Sequence, residues 1–196
     1  KDYNFKYILA FTGTAYIDNE YFNDVIYRYS LRSAIDDGIV KTIDYVQKDD
    51  LPGDREYKFQ KIRENHETNK RKFPKIKTIS ILITKDIRSA KNLYEDFIEF
   101  LCDFESIEKE IAERKILIVT SDASHKANIS MLDFVDSREK SFEWIISVSM
   151  LTEGWDVKNV FQIIPWEDRA FNSKLLIAQV LGRGLRMPPE YSNPQP

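Results

Sequence analysis

The chain alternates short, continuous apolar runs with stretches in which apolar residues recur every three or four positions. Continuous runs predict buried strands, and the spaced pattern predicts helices that bury one face. The predicted strands cover residues 5–11, 25–29, 40–46, 78–84, 115–120, 144–150 and 160–165. The predicted helices cover residues 87–101, with Asp86 as the cap, then 106–114, 128–135 and 173–185, and a short one from Ser30 to Gly38.

Strands that alternate with helices predict an α/β fold. Because most predicted strands are apolar along nearly their whole length, the sheet should be mostly parallel and covered on both faces. Ligands of such sheets bind beyond the carboxyl ends of the strands. The polar residues that directly follow strands are therefore candidate site residues: residues 84–86, 120–122 and 151–156.

Residues 48–77 interrupt this alternation with a highly charged stretch that has no long apolar face. We interpret it as a charged insertion, helical around residues 57–62. Residues 55–77 hold nine Lys or Arg and three Asp or Glu, so this stretch is basic. Residues 86–143 hold eight Lys or Arg and fourteen Asp or Glu, so this stretch is acidic. A basic stretch is more often a solvated face than a nucleic-acid surface, although an acidic protein can still present a basic stripe.

The composition excludes several classes of protein. With 196 residues, 42% of them hydrophobic and 13% aromatic, the chain can bury a core. A single cysteine, Cys102, excludes a disulfide framework, and the absence of any long apolar run excludes a membrane-spanning helix. We expect no membrane partner. We expect a cytoplasmic protein. We predict no metal site, because His66 and His125 have no neighbouring ligands in the sequence and are expected at the surface.

The strongest candidate chemistry lies at residues 179–186 (QVLGRGLR), in the last predicted helix. Arg183 and Arg186 lie on one helix face, and paired guanidinium groups suit phosphate oxygens. A glycine inside a helix lowers the stability of the helix by about 1 kcal/mol relative to alanine. Close backbone packing or a closely bound ligand would explain the two glycines in this stretch. A helix end with arginines for its dipole and glycines to terminate it explains the pattern equally well.

The second candidate is the stretch at residues 149–156 (SMLTEGWD), directly after a predicted strand. Gly154 allows a tight turn, and the Asp156 carboxylate can accept from a ribose hydroxyl pair. Ser149 and Thr152 offer hydroxyl donors to a phosphate backbone. An ordinary turn after a strand is the alternative interpretation.

Taken in order, these segments resemble the motifs of superfamily 2 helicases. SVSMLTEGWDVKNV is similar to motif V, QVLGRGLRMP to motif VI, ILITKDIRSA to motif IV and FTGTAY to motif III. The resemblance covers nearly the whole chain and is strongest to the Res (motor) subunit of type III restriction enzymes. It implies a three-layer RecA-like domain, the second motor domain of such a helicase, with ATP and Mg²⁺ as cofactors and double-stranded DNA as a partner.

The resemblance also implies a role for individual residues. Arg183 and Arg186 match the catalytic arginines of motif VI, which reach the γ-phosphate of ATP. The positions that match nucleotide-binding residues are Gly154, Asp156 and Gln179. The positions that match motif III, which couples hydrolysis to strand movement, are Thr12, Gly13 and Thr14. The positions that match contacts to the DNA backbone are Thr84, Thr120, Ser121, Ser149 and Thr152.

The sequence lacks the parts that the first motor domain of a helicase supplies. It contains no GxxxxGK[ST] phosphate loop, no DExH-like acidic box and no nuclease-like metal cluster. We therefore expect residues 1–16 to be the end of a first RecA-like domain and residues 17–196 to be the second. By itself the chain is expected to be inactive.

The expected function is that of the C-terminal half of an ATP-dependent DNA translocase, part of a type III site-specific deoxyribonuclease. Its implied partners are the first RecA-like domain of the same chain and a methyltransferase/specificity (Mod) subunit. The alternatives are another superfamily 2 DNA or RNA helicase and a non-catalytic RecA-like binding module.

Overall fold

The structure, a computed structural model, describes Lys6, Leu9 and residues 16–17, 20–21, 24–42, 55–148, 157–166 and 184–191. The strands in this part of the chain are β1 (Tyr16–Ile17), β2 (Glu20–Tyr21), β3 (Ile79–Thr84), β4 (Ile116–Val119), β5 (Trp144–Val148) and β6 (Val160–Pro165). The α-helices are α1 (Leu31–Asp36), α2 (Arg55–Lys72), α3 (Ile87–Glu105), α4 (Lys109–Lys115) and α5 (Lys126–Met131). Short 3₁₀ helices cover Ala123–His125, Leu132–Phe134 and Pro189–Tyr191.

Four of these strands form one parallel sheet in the order β4-β5-β3-β6. At its amino edge, Trp144 of β5 pairs with Ser80 of β3 on one side and with Ile116 of β4 on the other. The separate β1 and β2 pair with each other in antiparallel fashion. The described residues thus have an α/β fold with helices flanking a parallel sheet. This confirms the predicted fold class and is consistent with a three-layer RecA-like fold.

Both faces of the sheet are covered. On one face, Leu82 and Trp144 pack against Phe97 and other apolar residues of α2, α3 and α4. On the other face, Ile145 packs with Leu132 and its neighbours in the segment that contains α5. Every residue of β3 and β4 is buried. Burial on both faces explains why these strands are continuous apolar runs in the sequence rather than alternating ones.

Helix α3 forms where the sequence predicts it. Its cap is Asp86, whose side chain accepts a hydrogen bond from the backbone N–H of Ser89 at 2.7 Å. The helix ends at Ser106, which has a left-handed backbone with φ of 53°. None of the helices in the described part of the chain combines the length and the apolarity needed to cross a membrane.

Helix α2 confirms the helix predicted around residues 57–62 and corrects the interpretation of residues 55–77 as a solvated face. It is 18 residues long, and Phe59, Ile62 and His66 are buried along one side of it. Phe59 stacks on Trp166, which follows β6, with ring centroids 5.0 Å apart. The helix therefore belongs to the core. Its buried stripe was missed because the third position is a histidine among many charged residues.

The N-terminal part of the chain differs most from the prediction. The strand predicted for residues 25–29 is wrong, because residues 24–30 have no regular secondary structure and Ile26 and Tyr27 are exposed. The short helix after Ser30 is confirmed as α1, and Gly38 follows it with φ of 70°. In the strand predicted for residues 40–46, Val40 forms an isolated bridge and residues 43–46 lie outside the described residues. For the strand predicted at residues 5–11, the structure describes only Lys6 and Leu9, and neither has strand conformation. The other residues of that run lie outside the described residues.

Candidate functional site

The carboxyl edge of the sheet places Thr84 at the end of β3 and Thr120 directly after β4. Both side chains are fully buried. The Thr84 hydroxyl lies 3.2 Å from the carbonyl oxygen of Asp86 and 3.4 Å from that of Ser147, and it can donate to either. The structure therefore places these two predicted DNA contacts inside the protein. The third predicted contact at this edge, Ser121, is exposed.

The loop after β4 is held by hydrogen bonds among its own residues and by one helix. The Thr120 hydroxyl accepts from the Asp122 N–H at 3.1 Å and lies 2.7 Å from Nδ1 of His125. The Asp122 carboxylate accepts from Nζ of Lys91, on α3, at 2.7 Å and from the N–H of Ser124 at 2.9 Å. The bond from Lys91, together with those from Ser124, holds the pKa of Asp122 well below its usual range. The loop is thereby tied to α3.

The described end of the predicted motif VI lies against β6. Gly184 has a helical backbone, and a Cβ at this position would lie 2.7 Å from Cδ1 of Ile163. Close packing against β6 therefore explains this glycine, one of the two explanations that the sequence left open. The next residue, Leu185, is buried, whereas Arg186 is exposed.

Lys41 fixes this segment to the start of β6, and sequence reasoning missed it. The side chain is 9% exposed, and its Nζ donates to the carbonyl oxygens of Lys158 at 2.7 Å, Val160 at 2.6 Å and Gly184 at 3.0 Å. Three acceptors match the three donors of an ammonium group. Burial lowers the pKa of Lys41 to about 8, although the charge of Asp136 acts to raise it. The only local signal was a lysine inside a predicted strand.

The backbone around Lys41 adds to this attachment, which we call the Lys41 clamp. The Lys41 N–H donates to the carbonyl oxygen of Leu185 at 2.8 Å, and Val40 forms an antiparallel bridge with Arg186. The clamp holds the backbone at Arg186 beside the start of β6. The structure therefore does not bring Arg186 together with Thr84 and Thr120, which lie at the opposite edge of the parallel sheet.

The remaining predicted site residues lie outside the described part of the chain. They are Thr12, Gly13, Thr14, Ser149, Thr152, Gly154, Asp156, Gln179 and Arg183. Ser149 directly follows β5, which ends at Val148, and Val148 pairs with Thr84.

A second group of polar residues lies under α2, at the start of β3 and β5. We call it the amino-edge cluster and define it as His66, Glu67, Lys70, Ser80 and Glu143. Contrary to expectation, His66 is not a surface residue, because it is 1% exposed. Its Nδ1 lies 2.7 Å from the Ser80 hydroxyl, and its Nε2 lies 3.7 Å from Oε2 of Glu143 and has no hydrogen-bond partner.

Lys70 connects the two carboxylates of the amino-edge cluster. Its Nζ donates to Glu67 at 3.1 Å and to Glu143 at 3.0 Å. Burial raises the pKa of Glu143, but the interactions with His66 and Lys70 outweigh it and lower that pKa to about 2. Ligand atoms of His66, Glu67 and Glu143 lie within 4.8 Å of one another. The expectation that His66 has no potential metal ligands around it is therefore wrong.

The basic residues of α2 are paired with the acidic segment that follows it in the sequence. Three ion pairs connect the two: Arg55 with Asp96 at 2.5 Å, Arg63 with Glu105 at 2.8 Å and Lys70 with Glu143 at 3.0 Å. The opposite local charges seen in the sequence thus meet at the contact of α2 with α3 and β5. This pairing favours a structural role for the basic stretch over a continuous nucleic-acid surface.

Comparison with known proteins gives no relative from which a function could be transferred. The chain matches no family model, no curated protein and no solved structure. A function for the chain is therefore proposed from its own residues and their arrangement.

Proposed function

We propose that the chain is the C-terminal RecA-like half of an ATP-dependent DNA translocase, similar to the Res subunit of type III restriction enzymes. One observation carries the proposal: the two segments similar to motifs V and VI occur in the expected order on a parallel α/β sheet. The first, residues 147–160, joins β5 to β6, and the second, residues 179–188, ends against β6.

Arg186 has the properties that a phosphate contact needs. Its side chain is exposed, while its backbone is held by the bridge to Val40 and the neighbouring Lys41 clamp. A guanidinium group carried by such a fixed backbone can stabilise the negative charge that develops on a transferred phosphoryl group, with Arg183 as the second arginine. Bound ATP with Mg²⁺ would supply the phosphoryl group. The chain has no phosphate loop, so we assign most of the nucleotide contacts to the first RecA-like domain.

We assign the DNA backbone to the carboxyl edge of the sheet. Ser121 carries an exposed hydroxyl there, and Ser149 and Thr152 follow the neighbouring strand in the sequence. The buried hydroxyls of Thr84 and Thr120 then shape the edge rather than touch DNA. We expect the motor to act in the cytoplasm with a methyltransferase/specificity subunit that reads the DNA sequence.

Displacement of a triplex-forming oligonucleotide from duplex DNA tests this function, because a motor that moves along the duplex removes the third strand in an ATP-dependent way. The complete protein that contains this chain should displace it when ATP is present, and Arg186→Ala should abolish displacement. Arg32→Ala is the matched control, since Arg32 is also exposed and pairs locally with Asp36 at 3.1 Å. DNA binding by the wild type without ATP-dependent displacement would contradict a motor and support a binding module.

A further inference from the structure

We propose that the amino-edge cluster binds a divalent transition-metal ion such as Zn²⁺, with Nε2 of His66 and the carboxylates of Glu67 and Glu143 as ligands. The proposed motor function does not use this cluster, so the two proposals stand separately.

The first argument is the protonation pattern of His66. The Ser80 hydroxyl donates to Oε1 of Gln162 at 2.9 Å, so it must accept from His66 at Nδ1, 2.7 Å away. A neutral imidazole with its proton on Nδ1 has a bare lone pair on Nε2. Nε2 is buried, lies 3.7 Å from Oε2 of Glu143 and has no hydrogen-bond partner. In the neutral ring the Nε2 lone pair and the Glu143 carboxylate face each other, and a metal ion between them would take the place of the Nε2 proton that an imidazolium carries.

The second argument is the geometry of the ligand atoms. A zinc ion bound at about 2.0–2.2 Å holds tetrahedral ligands roughly 3.4 Å apart. The separation of His66 and Glu143, 3.7 Å, is close to that value. All three ligand atoms lie within 4.8 Å of one another, and the Glu67 side chain, 35% exposed, can close the difference by a change of rotamer. Three protein ligands leave one coordination position for water.

The third argument is the support around the His66 ring. Its ring packs at a tilt against Trp144 with centroids 4.2 Å apart, and Ser80 with Gln162 fixes which nitrogen carries the proton in the neutral ring. Metal-binding histidines commonly have such a partner on the other ring nitrogen, which orients the ring and fixes its tautomer. One imidazole with two carboxylates suits zinc-type ions better than Mg²⁺ or Ca²⁺, which prefer oxygen ligands alone.

The fourth argument is that Lys70 already places a cation between the carboxylates. Its ammonium group bonds to both Glu67 and Glu143. The Lys70 side chain is 37% exposed, so it can move into solvent and leave an entry path for a metal ion. Lys70 therefore competes with the metal, and its removal should strengthen metal binding.

Calorimetric titration of the chelator-treated 196-residue chain with Zn²⁺ at neutral pH tests the proposal. We expect one Zn²⁺ per chain, an affinity lowered about tenfold or more by Glu67→Gln, and an affinity raised by Lys70→Met. Glu64→Gln is the matched control, because it removes the same charge from an exposed position one turn earlier on α2, where Glu64 pairs with Lys61. It should leave the affinity unchanged.

A second readout identifies the nitrogen ligand. Co²⁺ bound to the chain should give the strong visible absorption of a tetrahedral site, and His66→Gln should abolish this absorption. His125→Gln, which changes the other histidine of the chain, should retain it. If His66→Gln fails to fold, the comparison of Glu67→Gln with Glu64→Gln decides. No Zn²⁺ binding by the wild type, or equal weakening by both glutamate variants, would overturn the site.

Discussion

At the carboxyl edge of the sheet, polar side chains bond mostly to residues close in sequence, whereas at the amino edge they bond across long stretches of chain. Thr120 and Asp122 find partners two to five residues away, apart from the bond of Asp122 to Lys91. Lys41 bonds to carbonyls 117 to 143 positions away, and Lys70 reaches a glutamate 73 positions away. Local turns thus build most of the carboxyl edge, whereas the amino edge depends on the assembled fold.

This difference predicts which property each substitution changes. Residues at the amino edge should mainly affect the free energy of unfolding, because their partners come from distant elements. Residues at the carboxyl edge should mainly affect local structure and, under the proposed function, DNA affinity.

The largest loss of stability is expected for Phe97→Ala, in the core next to the amino edge. Phe97 is fully buried, with its ring centroid 5.0 Å from that of Phe59 and 4.9 Å from that of Trp144. Removal of a buried phenylalanine costs about 3–5 kcal/mol. Urea unfolding measures this loss. Phe104→Ala, at an exposed position of the same helix, should lower the free energy of unfolding much less. Equal losses for the two variants would contradict the assignment of Phe97 to the core.

The next largest effect is expected for Lys41→Met, which breaks the Lys41 clamp. It leaves three carbonyl oxygens, one buried and two partly buried, without their ammonium donor, at a cost of about 1–3 kcal/mol. The amide hydrogen of Lys41, bonded to Leu185, should also exchange faster with solvent. Hydrogen exchange with urea unfolding measures both effects. Lys109→Met, at an exposed lysine that forms surface ion pairs, should change neither the free energy of unfolding nor the exchange rate of the Lys41 amide. The same result for both variants would contradict the role of Lys41 in holding this segment.

At the carboxyl edge, two neighbouring substitutions should separate stability from DNA binding. Thr120→Val removes a buried hydroxyl that bonds to Asp122 and His125, and should cost about 1 kcal/mol of stability. Ser121→Ala should leave the free energy of unfolding unchanged. It should weaken DNA binding about fivefold, because the exposed Ser121 hydroxyl is proposed to contact the DNA backbone. Thermal unfolding and DNA titration of both variants test this. DNA affinity that falls for Thr120→Val but not for Ser121→Ala would reverse the assignment.

The smallest effect is a pH dependence at the amino side of the molecule. Burial raises the pKa of Glu105, but hydrogen bonds from Lys115 and Arg63 outweigh it, so this pKa is lowered in the folded protein. The carboxylate therefore stabilises the fold above its unfolded pKa of about 4.3, and this contribution is lost as pH falls below that value. Glu105→Gln should flatten the acid limb of stability against pH. Asp122→Asn, which removes a pair at the surface, should flatten it less, because solvent screens that pair.

The sequence predicts those parts of the fold whose signals are local. Helix α3 has a capping aspartate at Asp86 and buried residues at helical spacing, including Leu93 and Phe97. The strands β3 and β4 are continuous apolar runs that are buried on both faces. In both cases the pattern lies within one element, so it can be recognised without the rest of the fold.

The parts that could not be predicted depend on distant partners. His66 is buried by Trp144 and bonded to Ser80, and nothing in the charged helix around it indicates this. The apolar and aromatic residues at 25–29 suit a strand, yet Ile26 is exposed, and neither it nor its neighbours has a strand partner among the described residues. The positions of Thr84 and Thr120 after strands were predictable, but their burial was not.

The proposed motor function is tested most directly by ATP hydrolysis in the complete protein carrying Arg183→Ala, measured with DNA present and alongside the melting temperature. An arginine that stabilises the transferred phosphoryl group contributes about 10³–10⁵-fold to the rate. We therefore expect hydrolysis to fall by about a thousandfold or more while the melting temperature stays that of the wild type. Hydrolysis at the wild-type rate in the folded variant would contradict the assignment of this chain as the second half of an ATP-driven motor.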